Sequence, residues 1–127
     1  MTNKMINSTA APAAVGPYSH SILANTTQYI SGQLGLDPTS GKMKDGVEAQ
    51  AEQALINLTA ILKEAGLTCE DVVKTTIFLK NMSDFEKINS IYQRFFTTNL
   101  PARSCVEVAA LPKGGLFEIE AIAVVNK

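Results

Sequence analysis

Polar and apolar residues alternate along residues 29–36, "YISGQLGL", a period of two that predicts a strand. A shorter apolar run around residues 21–25 predicts its partner, with Asn25 and Thr26 in the turn between them. After the turn cluster "DPTSG" the period changes: Val47, Ala51, Ala54, Leu55, Leu58, Ile61 and Leu62 recur at helical spacing and form one apolar stripe. Asp45 and Glu48 stand at capping-box spacing before it, and Gly66 stands where a helix-terminal glycine belongs. "DVVKTTIFLK" is rich in β-branched residues and predicts a strand. Phe85, Ile88, Tyr92, Phe95 and Phe96 form the stripe of a second helix reaching about Thr98, with Ser83 and Glu86 at capping-box spacing and Pro101 beyond its end. "ARSCVEVAAL" and "FEIEAIAVV" predict two further strands, which "PKGG" would join as a hairpin. The predicted order is β-β-α-β-α-β-β, with a short extra strand near Met5 and Ile6. It gives an α+β fold, one domain over residues 1–127, with two helices on one face of a mixed sheet.

The last two strands are partly apolar on both faces. In residues 117–125 the positions Phe117, Ile119, Ala121, Ala123 and Val125 oppose Glu118, Glu120, Ile122 and Val124. One face must meet the helices; covering the other with a second copy of the chain would explain its apolar residues, as would burial of a central strand.

Composition narrows the function. With 127 residues and 46% hydrophobic content the chain can build a core, and 11 basic against 12 acidic residues lack the basic excess that phosphate backbones require. Residues 1–16 have neither the apolar stretch of a signal peptide nor the arginines of a transit peptide, and no apolar run is long enough to span a membrane, so a cytoplasmic protein is expected. Two cysteines, Cys69 and Cys105, make no disulfide framework, and with the single histidine His20 they show no metal-ligand spacing.

Arginine is scarce. Arg94 reads as a solvated helix charge, whereas Arg103 opens an apolar strand after a Pro-Ala turn and faces the same way as Cys105. A guanidinium there can clamp a carboxylate with parallel hydrogen bonds, or pair with Glu107 or Glu118. Glu118 and Glu120 share one face, where proximity would raise one carboxyl's pKa and fit it to relay a proton; the alternative is a polar sheet edge or a set of salt bridges. Cys105 could act as a nucleophile only with a base such as His20 nearby, and otherwise reads as a small buried residue. "GPYS" places Tyr18 after a rigid turn, and Gly32 inside "SGQ" marks a strand position where something approaches the backbone closely.

Together "APAAVGPYSHS", "YISGQLGLDPTSG", "VVKTTIFLKNMSDFEKINSIYQRFF" and "PARSCVEVAALPKGGLFEIEAIAVV" resemble the RidA (YjgF/L-PSP) family of reactive-intermediate deaminases, over about residues 5–126. The resemblance implies a chorismate-mutase-like fold assembled as a homotrimer with active sites between subunits. It implies hydrolysis of 2-imino acids and their enamine tautomers, such as 2-iminobutanoate and 2-iminopropanoate, to 2-oxo acids and ammonia, without cofactor or metal. It places Arg103 on the substrate carboxylate, Glu118 on the attacking water, the Cys105 backbone against the ligand, and Tyr18, Ser31, Gly32 and Asn89 around the pocket. His20 departs from the family pattern, where glutamine is usual. Two other readings use the same residues: a non-catalytic small-molecule-binding or regulatory trimer, and a ribonuclease or translation inhibitor, which the charge balance disfavours.

Overall fold

The computed structural model describes residues 3–125. Six strands, β1 (Lys4–Met5), β2 (Ser21–Ala24), β3 (Thr27–Leu34), β4 (Val72–Leu79), β5 (Ala102–Glu107) and β6 (Phe117–Val124), form one sheet in the order β1-β2-β3-β6-β4-β5. Two helices, α1 (Val47–Glu64) and α2 (Phe85–Phe95), complete it. The short first strand, the β2–β3 hairpin and both helices match the sequence pattern, and the α1 residues of the apolar stripe are all buried.

The expected hairpin of the last two strands does not form. β5 pairs in parallel with β4, while β6 lies antiparallel between β3 and β4. The reason lies in both strands. The β4–α2–β5 segment is a crossover that returns the chain parallel to β4. β6 buries Phe117, Ile119, Ala121 and Ala123, and a strand with that apolar face is best placed at the centre of the sheet. The link between them holds a 3₁₀ turn over Pro112–Gly114, with Lys113 at φ 57° and Gly114 at φ 67°.

Helix ends also depart from expectation. No side chain caps α1; Gly46 at φ 89° leads into it, and Asp45 is exposed. Nor does the Ser83–Glu86 box form, because a 3₁₀ turn over Met82–Asp84 feeds α2 directly. The capping box that does form spans Thr68 and Asp71, where Thr68 Oγ1 accepts from the Glu70 amide and the Asp71 carboxylate accepts from the Thr68 amide. Gly66 ends α1 as expected: at φ 75° its amide donates to Lys63 O, and the Leu67 amide donates to Leu62 O. α2 stops at Phe95 rather than near Thr98, because Phe96 leaves the helix to bury its ring 4.5 Å from that of Tyr92.

The core lies between the helices and one face of the sheet, formed by Ile30, Ile77, Leu79, Phe117 and Ile119 against Leu55, Leu58, Leu62 and Ile88. A Cβ at Gly35 would strike the backbone of Gln50, so glycine there lets α1 cross the end of β3. The opposite face carries no helix and leaves Tyr29 and Val106 exposed beside half-buried Ile122 and Val124. No described helix is long and apolar enough to cross a membrane.

Asn57, fully buried in α1, donates to both Leu34 O and Leu36 O and ties the helix to the strand end. Replacing it with alanine strands two carbonyls. Denaturant titration of Asn57→Ala should show a loss of about 1–3 kcal/mol, whereas Asn57→Asp should not restore the wild-type midpoint because its ionised carboxylate cannot donate.

Candidate functional site

Arg103 and Cys105 stand on the helix-facing side of β5, in register with Thr75 and Ile77 of β4. Arg103 Nη1 donates to Asn89 Oδ1 at 2.8 Å. Its Cζ lies 4.8 Å from the Tyr92 ring centroid and 5.4 Å from that of Phe85. Asn89, Tyr92 and Phe85 share one face of α2, and Tyr92 is itself fixed by a 2.8 Å hydrogen bond to Thr75 Oγ1. Stacking contributes about 0.5–2 kcal/mol and holds the planar group in one orientation. The fork is not neutralised: among the described residues the two ion pairs are Lys44–Asp37 and Lys87–Asp84. Beside it opens a cleft of about 380 Å³ lined by Asn89, Tyr92, Gln93, Leu100, Pro101 and Arg103. The expected alternatives of an Arg103 pair with Glu107 or Glu118 are thus not formed, and Glu107 instead accepts from the Met82 amide.

Cys105 is half-buried. Burial pushes its thiol above the ordinary value, although Arg103 pulls the other way, so the nucleophilic thiolate is disfavoured at neutral pH. Its sequence-predicted base is engaged elsewhere: both ring nitrogens of buried His20 are bonded within the N-terminal arm, to the Ser8 amide and Pro12 O.

Glu118 lies on the other face of the sheet. Its neighbour on β4 is Phe78, and on β3 it is Leu34, beyond the bulge between Ile30 and Gln33. Gly32 sits in that bulge, and a Cβ on it would come 2.5 Å from Glu118 Oε2. The close approach anticipated at Gly32 is therefore made by this carboxyl, which needs the space that a side chain would fill. Burial first, and Glu120 second, raise the Glu118 pKa. Ser31 backs this corner: its amide donates to His20 O and its hydroxyl to Ser19 O, tying β3 to the segment that ends in Tyr18. Tyr18 is exposed, and with Gly32, Val15 and Leu34 it lines a small hollow under the arm.

The sequence-predicted residues therefore gather into two groups. Arg103, Asn89 and Cys105 stand at the sheet edge under α2; Glu118, Gly32 and Ser31 stand on the helix-free face, with Tyr18 of the arm sharing a hollow with Gly32, and β4 lies between β5 and β6. The expectation that a paired strand beside Glu118 carries Arg103 is corrected by this topology. Sequence reasoning missed Tyr92 and Phe85 as the aromatic platform of the guanidinium, reading them only as core. Their spacing with Asn89 (85, 89, 92) places all three on one helix face and could have shown it.

Residues 8–125 match the family described as Endoribonuclease L-PSP. The chain belongs to that family. The L-PSP relatives include the 2-iminobutanoate/2-iminopropanoate deaminase of Bos taurus, 50% identical over 125 residues, covering 98% of this chain and 91% of the relative. Among solved structures, the YjgF gene product from E. coli is 46% identical with a TM-score of 0.93, covering 97% of this chain and 99% of that one. E. coli TdcF with bound serine is 40% identical, also with a TM-score of 0.93 and coverage of 97% and 99%. The expected RidA-like fold is thus the observed one.

The Glu118 environment has a measurable signature. A carboxyl whose folded-state pKa is raised destabilises the fold above that pKa, and the penalty is relieved as pH falls through it. Glu118→Gln should therefore unfold at a higher temperature than wild type at pH 7, with the difference closing in the acid range where Glu118 itself becomes protonated.

Proposed function

We propose that this L-PSP chain is a deaminase that hydrolyses 2-imino acids with short side chains, such as 2-iminobutanoate and 2-iminopropanoate, to 2-oxo acids and ammonia. The observation that carries this reading is the Arg103 guanidinium, oriented by Asn89 and Tyr92, without an acidic partner among the described ion pairs, beside an open cleft. Such a fork binds a carboxylate with charge-assisted hydrogen bonds of about 1.5–3 kcal/mol each. The names of the Bos taurus relative and of TdcF with bound serine, a ligand that carries a carboxylate, point to the same substrate class.

Arg103 and Glu118 lie on opposite faces of the sheet in one chain, so a single small substrate would meet both only if a second copy brings its Glu118 face to the first copy's Arg103 edge. The exposed apolar residues of the helix-free face, Tyr29 and Val106, are what such packing would cover. In this arrangement, a homotrimer by family resemblance, the active site lies between copies.

The chemistry then follows. Arg103 holds the carboxylate and places the imine carbon next to a water. The imine enters protonated on nitrogen; the water oxygen attacks its carbon as Glu118 takes a water proton, forming a neutral carbinolamine. Glu118 gives the proton to the nitrogen, then takes the hydroxyl proton as the C–N bond breaks and the carbonyl forms. Ammonia leaves with that proton. Burial keeps the Glu118 pKa nearer the working pH, which suits a group that must accept and return a proton. Gly32 leaves space for the carboxyl, and Tyr18 closes the pocket beside it. No step requires the Cys105 thiol, and Cys105 contributes its backbone beside Arg103. RNA is not the substrate in this reading, since 11 basic residues against 12 acidic give no electrostatic footprint for it. Cys69 and Cys105 are both free, in keeping with a cytoplasmic setting.

The test couples a threonine dehydratase to the purified protein and follows loss of the imine. Wild type should accelerate hydrolysis, Arg103→Ala should lose about 100-fold or more in kcat/KM, and Glu118→Gln about 10²–10⁴-fold, mostly in kcat. Cys105→Ser should stay within about threefold of wild type. Full activity in Arg103→Ala, or loss in Cys105→Ser with Glu118→Gln unaffected, would overturn the reading.

A further inference from the structure

The curl of the N-terminal arm, residues 7–18, is held chiefly by the His20 side chain, with Asn7 and Ser31 adding a bond at each end. His20 is buried, its amide donates to Asn7 Oδ1 at 2.8 Å, and its carbonyl accepts from the Ser31 amide at 2.9 Å. Its Nδ1 accepts from the Ser8 amide at 3.1 Å. That acceptor role leaves the proton on Nε2, which donates to Pro12 O at 2.7 Å. One imidazole therefore satisfies a backbone donor and a backbone acceptor four residues apart and fixes the curl of the arm. Ser8 Oγ adds a bond to the Ala10 amide inside that curl, and Ala11 is buried beneath it. The arm ends at Tyr18, whose hydroxyl accepts from the Val15 amide at 3.4 Å, above the hollow shared by Val15, Tyr18, Gly32 and Leu34.

We infer that His20 is a positioning residue for substrate binding: its neutral imidazole clasps the arm so that Tyr18 stands over the Gly32–Glu118 corner. This rests on the proposed imine hydrolysis for its kinetic consequence, but the clasp itself is a matter of backbone hydrogen bonds. The imidazole touches no reacting atom in this arrangement, and Arg103 and Glu118 are held by other elements. Loss of the clasp should loosen the Tyr18 wall and leave the proton-transfer group in place. The substrate's KM should then move, and kcat should not. A glutamine side chain offers one acceptor and one donor on a comparable reach and should replace the ring; leucine offers neither.

The experiment compares wild type, His20→Leu, His20→Gln and Asn7→Ala in the dehydratase-coupled assay with 2-iminobutanoate, alongside hydrogen exchange of the amides of residues 8–18. His20→Leu should raise KM by about tenfold or more with kcat within about threefold, and its arm amides should exchange faster, while His20→Gln should stay within about threefold of wild type in both. Wild-type KM in His20→Leu, or equal impairment in His20→Gln and His20→Leu, overturns the inference. If His20→Leu does not fold, exposed Asn7 decides: Asn7→Ala should raise KM and arm exchange in the same direction, and unchanged values overturn the inference. Should wild type fail to hydrolyse the imine, the proposed function falls, and the exchange comparison still decides the clasp, with wild-type protection in the His20 or Asn7 variant refuting it.

Discussion

A guanidinium held in place with no acidic partner among the described ion pairs is the constraint on which the rest of this molecule depends. Arg103 is fixed on one side by Asn89 and flanked by the rings of Tyr92 and Phe85, yet the remainder of its fork opens on the cleft. That charge is partly exposed to the cleft, where an anion can reach it. Orientation by a helix, in place of neutralisation by a glutamate, leaves the group open on the cleft, and the proposed function fills that opening with a substrate carboxylate.

The sheet supplies the second constraint. By inserting β6 between β3 and β4, the fold sends Arg103 to the edge strand on the helix side and Glu118 to the centre on the bare side. In the proposed function these are a binding group and a proton-transfer group, so their placement on opposite faces makes each chain two half-sites. The proposed function joins these through a second copy, and the apolar residues left uncovered on the bare face give that copy a surface to pack against. Gly32 and Glu118 show how closely the bare side is built: the glycine in the β3 bulge brings no side chain where the carboxyl needs room.

Much of this was legible in the sequence, and the limits have physical reasons. The stripe from Val47 to Leu62 marks the buried face of α1 because helical period is a local property. Arg103, Glu118 and Gly32 stand out because a lone arginine in an apolar strand, paired acids on one strand face and a mid-strand glycine each break a local rule. The neighbours of β5 and β6 were not legible. Which strands pair is decided by long-range burial, and a turn-like "PKGG" between two strands says nothing of partners lying from about 30 to nearly 100 residues upstream. The same holds for His20, whose two backbone partners are recognisable only once the arm has curled around it.

The claim that two chains share one site is tested most directly by mixing two inactive variants. Arg103→Ala and Glu118→Gln chains are unfolded together in equal amounts, refolded, and assayed for imine hydrolysis against each parent refolded alone. If Arg103 of one copy works with Glu118 of another, mixed assemblies regain intact sites and activity should rise to about a quarter of the wild-type level, as random pairing of the two chain types dictates. Activity that stays at the level of the parents, in mixtures shown to have exchanged subunits, would contradict the account.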